Sequence, residues 1–168
     1  MNQDNTQALK LIKVAFLAFA ALFSLVAAIL VFFLDFGGWW LGGGYSNYFY
    51  WIGSENAPIW SQLFLVLLGL LFLALLALSI ILGVLILTDK GEKVVKILGF
   101  VGMGVAIFSF IFTFITWGMF AIIAGDYYEL WLMTGFWGAL VGSLLVGIFY
   151  LLYSVIGLLM KPSETAAK

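Results

Sequence analysis

The chain has 168 residues, of which 65% are hydrophobic and 9% charged, with a mean hydropathy of +1.22 and a net charge of −1. That composition lies well outside the range of soluble domains and makes lipid the main solvent of one membrane domain. Charge gives no reason to expect nucleic acid as a partner; the absence of cysteine excludes disulfides, thiol redox chemistry and iron–sulfur clusters, and the absence of histidine removes the commonest haem, zinc and copper ligand.

Met1 to Gln7 is polar and reads as a frayed end. Lys10 and Lys13 then flank an apolar run, 14–34, which Asp35 stops. At about 1.5 Å per residue this run matches a hydrocarbon core of about 30 Å. Ala18-Phe19-Ala20 also fits a signal-peptide cleavage site, but the apolar run continues well past it and favours a retained helix.

Residues 36–60 follow as an outer loop with nine aromatics, six glycines and no lysine. Within it, Gly42-Gly43-Gly44 separates Trp39-Trp40-Leu41 from Tyr45 to Ile52. Aromatic arms around a glycine turn fit a short β-hairpin, with a merely compact loop as the alternative.

A second span covers 63–87, and Thr88-Asp89-Lys90-Gly91-Glu92 makes a compact stop. Gly91 suits a left-handed helix end, and Glu92 suits the start of the next helix. So short a link makes the second and third helices an antiparallel hairpin. The third span, 94–124, would run about 46 Å and must tilt or project. A shorter outer loop, 125–134, leads to a fourth span, 135–160, ended by Lys161-Pro162. The expected fold class is all-α integral membrane: an antiparallel four-helix transmembrane bundle, with outer loops at 35–62 and 125–134.

Lysine placement predicts the orientation. Lys10, Lys13, Lys90, Lys93, Lys96, Lys161 and Lys168 fall on one side, whereas the two opposite loops carry only Asp35, Glu55, Asp126 and Glu129. The positive-inside rule puts both termini in the cytoplasm and both aromatic loops outside.

Apart from Lys96, near the inner end of the third, no charged residue lies within the four apolar runs. Ion-coupled transporters and voltage sensors hold or move charge at the midplane, and this chain offers none there. The intramembrane hydroxyls of Ser24, Ser79, Ser109, Thr113, Thr116, Ser143 and Ser154 are expected to bond the helix backbone one turn earlier. With carboxylates confined to loops, turns and tails, the chain reads as non-catalytic, without metal or cofactor. Bound lipid is the one small-molecule class left open.

Helix four carries the row Gly135, Gly138, Ala139, Gly142, Ser143 and Gly147. Small residues let helix backbones approach, so the row is expected to pack inside this bundle; a docking face for another protein is the alternative. Phe108, Phe110, Phe112 and Phe114 alternate like a strand, but a lone strand cannot satisfy its backbone in lipid. As a helix they split into two pairs, 108 with 112 and 110 with 114.

The aromatic residues are one-sided. Trp39, Trp40, Trp51, Trp60, Trp131 and Trp137 lie in or beside the outer loops, as do Tyr45, Tyr48, Tyr50, Tyr127 and Tyr128. An interfacial belt with a packed loop is one reading; a recognition surface is the other. The candidate interaction residues are Trp39, Trp40, Tyr45, Tyr48, Tyr50, Trp51, Tyr127, Tyr128 and Trp131.

The charged inner turn Asp89-Lys90-Gly91-Glu92-Lys93, the Gly-rich start of helix three, Thr116-Trp117 and then Asp126-Tyr127-Tyr128 form a pattern that resembles the claudin and peripheral-myelin-protein group. The resemblance implies both termini inside, a longer first outer loop folded as a small sheet, a shorter second loop, and Trp117 as a structural aromatic. The group's first-loop signature, a Trp followed by Gly-Leu-Trp and a cysteine pair, is absent. The expected function is therefore assembly with other membrane proteins or with copies of itself, as an accessory subunit or a claudin-like unit. The alternative is a small oligomeric channel or lipid-handling protein.

Overall fold

Backbone amides inside lipid must be satisfied within their own segment, so each long apolar run closes as a helix. The computed structural model describes residues 3–40, 47–55, 59–89, 91–123 and 129–159. Within them the helices are α1 (Gln3–Phe33), α2 (Ile59–Leu87), α3 (Glu92–Ile123) and α4 (Thr134–Leu159). All four are long and apolar enough to cross a membrane. From 26 residues in α4 to 32 in α3, they measure about 39 to 48 Å, so each exceeds a hydrocarbon core of about 30 Å.

Two boundaries differ from the sequence expectation. α1 already runs from Gln3, because the backbone ladder of a helix does not stop where its apolar run does. α2 begins at Ile59, so Ile59 to Gln62 belong to the helix rather than to the loop.

The helices follow the chain around a square, with α1 and α3 each packing on both α2 and α4. On the α1–α4 seam, a Cβ at Gly138 would sit 2.4 Å from the Leu30 side chain, and one at Gly142 would sit 2.5 Å from that of Ala27. Ala139 and Ser143 are buried in the same helix, and Gly147 faces Ala106 of α3 at ordinary contact distance. On the α3–α4 seam, Tyr150 lies across Gly102 and Tyr153 across Gly99. The Tyr150 hydroxyl continues to α2, where it lies 3.0 Å from Ser79 Oγ.

The seven intramembrane hydroxyls all bond carbonyls one turn earlier: six reach i−4, and Ser143 bonds Leu140. The phenylalanines of α3 pair as spaced, Phe108 with Phe112 at 5.5 Å and Phe110 with Phe114 at 5.4 Å. Phe112 also stacks on Phe64 of α2, and Phe114 meets Phe136 of α4.

One end of the bundle carries the described lysines, 10, 13, 93 and 96. There Lys10 pairs with Asp89, and Lys96 pairs with Glu92 at 2.6 Å across one helical turn. Asp89 itself takes the left-handed conformation after α2 (φ 55°), and Gly91 repeats it (φ 69°), so the expected Gly91 turn uses two such residues.

The opposite end carries a sheet. β1 (Gly37–Trp40) is central, flanked antiparallel by β2 (Asn47–Tyr50) and β3 (Glu129–Leu132). An all-α fold with at most one hairpin therefore needs correction: residues 129–132, expected as loop, add a third strand from the second connection. Pairing with β1 satisfies backbone groups that a bare loop would leave to water.

Candidate functional site

Strand alternation divides the sheet into two faces, and register decides which aromatic goes where. The sequence of β1 is Gly-Gly-Trp-Trp. Gly37 and Trp39 face the bundle: Gly37 lies against Trp117 and Phe120, and the Trp39 ring is 5.4 Å from that of Phe120. Tyr50, paired with Gly37, points the same way and stacks on Phe120 at 4.7 Å with planes 10° apart. Phe36 and Phe136 complete this plug, edge to face at 5.6 Å, and Trp117 links Phe120 to Phe136. Each such aromatic pair contributes about 0.5–1.5 kcal/mol beyond its buried area.

Trp39 is 5% exposed and Tyr50 0%. The expectation that both meet a partner is therefore corrected: their alternation parity turns them onto the helices, where they hold the sheet down. Burial pushes the Tyr50 phenol well above its ordinary range, with Ser61 of α2 as the polar group beside it. Trp117 lies beneath the sheet, with its ring against Phe120 and Phe136.

The other face is also aromatic. Phe49, Gly38 and Trp131 occupy one row across β2, β1 and β3, and Trp40 stands in the next row along β1. Gly38 is a notch: a Cβ there would lie 2.6 Å from Trp131 Nε1, so the indole lies flat over the central strand. Trp40 and Trp131 are half-buried, while Phe49 is 37% and Trp51 39% exposed. Phe49 was not among the expected residues; strand alternation is the signal that finds it. Tyr48 is described only as the β2 position opposite Trp39, and Tyr45, Tyr127 and Tyr128 lie outside the described residues.

Three backbone hydrogen bonds join the sheet to the helix ends. The Phe36 amide donates to Tyr50 O at 2.7 Å, the Met133 amide to Phe36 O at 3.2 Å, and the Gly135 amide to Asp35 O at 2.8 Å. Beyond β2, Ser54 Oγ donates to Phe49 O and Gln62 Nε2 donates to Ser54 O, tying the turn to α2. The described parts of both connections thus join in one hydrogen-bonded platform.

Below the platform, Trp60 and Trp137 lie exposed in the first turns of α2 and α4, with Phe33 and Ile122 at the neighbouring helix ends. Amphipathic rings at this level suit a headgroup interface. Between α2 and α3 lies a recess of about 290 Å³, lined by Leu67, Leu70, Leu71, Phe108 and Phe112. Its apolar walls suit an acyl chain rather than a hydrated path. Comparison with protein-family models, curated proteins and solved structures finds no match to this chain.

Proposed function

We propose that this is a non-catalytic four-span membrane protein that assembles with other membrane proteins or with copies of itself through the outward aromatic face of its sheet. The observation that carries the reading is the row Phe49–Gly38–Trp131, with Trp40 beside it, on a platform built from both connections. Rigid aromatics give contact area at little cost in conformational entropy, which is why they dominate binding hot spots. A loop serving only as an interfacial belt would not need three strands to align them.

The lysine end faces the cytoplasm in this reading, which puts the sheet outside. A first outer loop that contributes two strands to a small sheet also supports a claudin-like assembly role, with the cysteine-bearing signature replaced by aromatic packing.

A photo-crosslinking residue at Phe49 tests the reading in the source membrane. The expected result is a discrete crosslinked product from position 49 and none from the buried position 39. Equal labelling of lipid from both positions, without a protein product, would count against it.

A further inference from the structure

At the lysine end, three of the described lysines differ in how they are satisfied. Lys10 is paired with Asp89, and Lys96 with Glu92. Lys13 is half-buried, and no carboxylate or carbonyl among the described residues accepts from its Nζ. An ammonium has three hydrogen-bond donors, and a lysine stem laid along apolar surface carries them toward the headgroup layer.

The surroundings of Lys13 are built rather than incidental. Its Nζ lies 5.9 Å from the centroid of the Tyr153 ring, within cation–π range. That ring is fixed: it is seated on Gly99 of α3, and its hydroxyl donates to Val95 O at 3.4 Å. On the other side Nζ lies against Gly157, where an added Cβ would meet it at an ordinary contact distance of 3.7 Å. Lys96 and Glu92 are the charged groups that act on Lys13, and Lys96 already occupies Glu92. The niche therefore combines a fixed aromatic wall, a close glycine and a cation whose donors lack an acceptor among the described residues. Lys13 immediately precedes the apolar run 14–34, so a bilayer built around that run would put it near the headgroup layer.

We infer that Lys13 binds the phosphate of an anionic glycerophospholipid, in a niche formed with Tyr153 and Gly157 of α4 and bordered by Lys96 of α3. An anionic headgroup fits better than a zwitterionic one, because a choline or ethanolamine cation would meet Lys96. Basic pockets between membrane helices recognise lipid headgroups in this manner. The site is at the opposite end from the aromatic face and does not depend on it.

The test is native mass spectrometry of the full chain in mild detergent, titrated with phosphatidylglycerol, phosphatidylcholine or inorganic phosphate. Wild type should retain phosphatidylglycerol in preference to phosphatidylcholine. Lys13→Gln should weaken that binding about tenfold, the size expected for loss of one cation–phosphate contact, while Lys13→Arg keeps it and Lys93→Gln changes it less than about twofold. Helicity and melting of each variant establish that it folds. Equal losses in Lys13→Gln and Lys93→Gln would reduce the effect to net charge and overturn the site. Displacement of the lipid by millimolar inorganic phosphate would assign the niche to free phosphate and overturn the lipid. Unchanged binding in a folded Lys13→Gln would also overturn it.

Discussion

The Gly135 amide donates to the Asp35 carbonyl at 2.8 Å, so the first turn of α4 lies directly on the end of α1. A Cβ at Gly135 would stand 3.0 Å from Asp35 O and 3.1 Å from Leu34 O, both backbone atoms that cannot rotate away. This contact fixes the distance between the two connections that form the sheet. Gly135→Ala should destabilise the protein by about 1–3 kcal/mol, the usual cost of overpacking. Denaturation in mixed micelles measures it. Gly118→Ala, where a Cβ meets nothing within 4 Å, should change stability little.

Within the bundle, the Tyr150 hydroxyl joins α4 to α2 through Ser79 while its ring crosses Gly102 of α3. Tyr150→Phe and Ser79→Ala should each cost about 0.5–1 kcal/mol, with the double variant costing less than their sum. Gly102→Ala should cost more than either, because a Cβ would sit 2.2 Å from the ring. A double-mutant cycle in detergent checks both statements.

Phe120 supports Trp39, Tyr50 and Trp117 together. Phe120→Ala should remove about 3–5 kcal/mol of packing, concentrated where sheet meets bundle. The expected signature is faster proteolysis of the connections with helicity nearly unchanged. Equal loss of both would show that sheet and bundle unfold as one unit.

Burial raises the Tyr50 phenol above its ordinary value of 10.0, so the folded state favours the neutral form. The contribution is fully present below pH 10, where the unfolded phenol is also neutral. It falls as pH rises above 10, because the unfolded chain then loses protons that the folded one keeps. Tryptophan fluorescence of the sheet end should therefore show a transition above pH 10 that Tyr50→Phe abolishes. A transition unchanged in Tyr50→Phe would assign it to other groups, such as the lysines.

The helices were legible because an apolar run longer than twenty residues leaves the backbone no other way to satisfy itself in lipid. The intramembrane hydroxyls and the phenylalanine pairs of α3 were legible for the same reason, since helical spacing alone places them. β3 was not: Glu129-Leu130-Trp131-Leu132 is four residues long, and its pairing with β1 joins positions about ninety apart. The division of the aromatics was hidden too. Trp39 and Trp40 are adjacent and chemically identical, and only register sends the first onto Phe120 and the second to the other face. Composition marked the region; strand parity assigned the residues.

The central claim, assembly through the outward aromatic face, is tested most directly by native mass after mild-detergent extraction of wild type and of Phe49→Ala/Trp51→Ala. These two side chains are exposed, so the variant should fold as the parent does. The account predicts that wild type is recovered in a complex of fixed stoichiometry and the double variant as a folded monomer. Wild type recovered only as a monomer, or a double variant whose complex is unchanged, would contradict it.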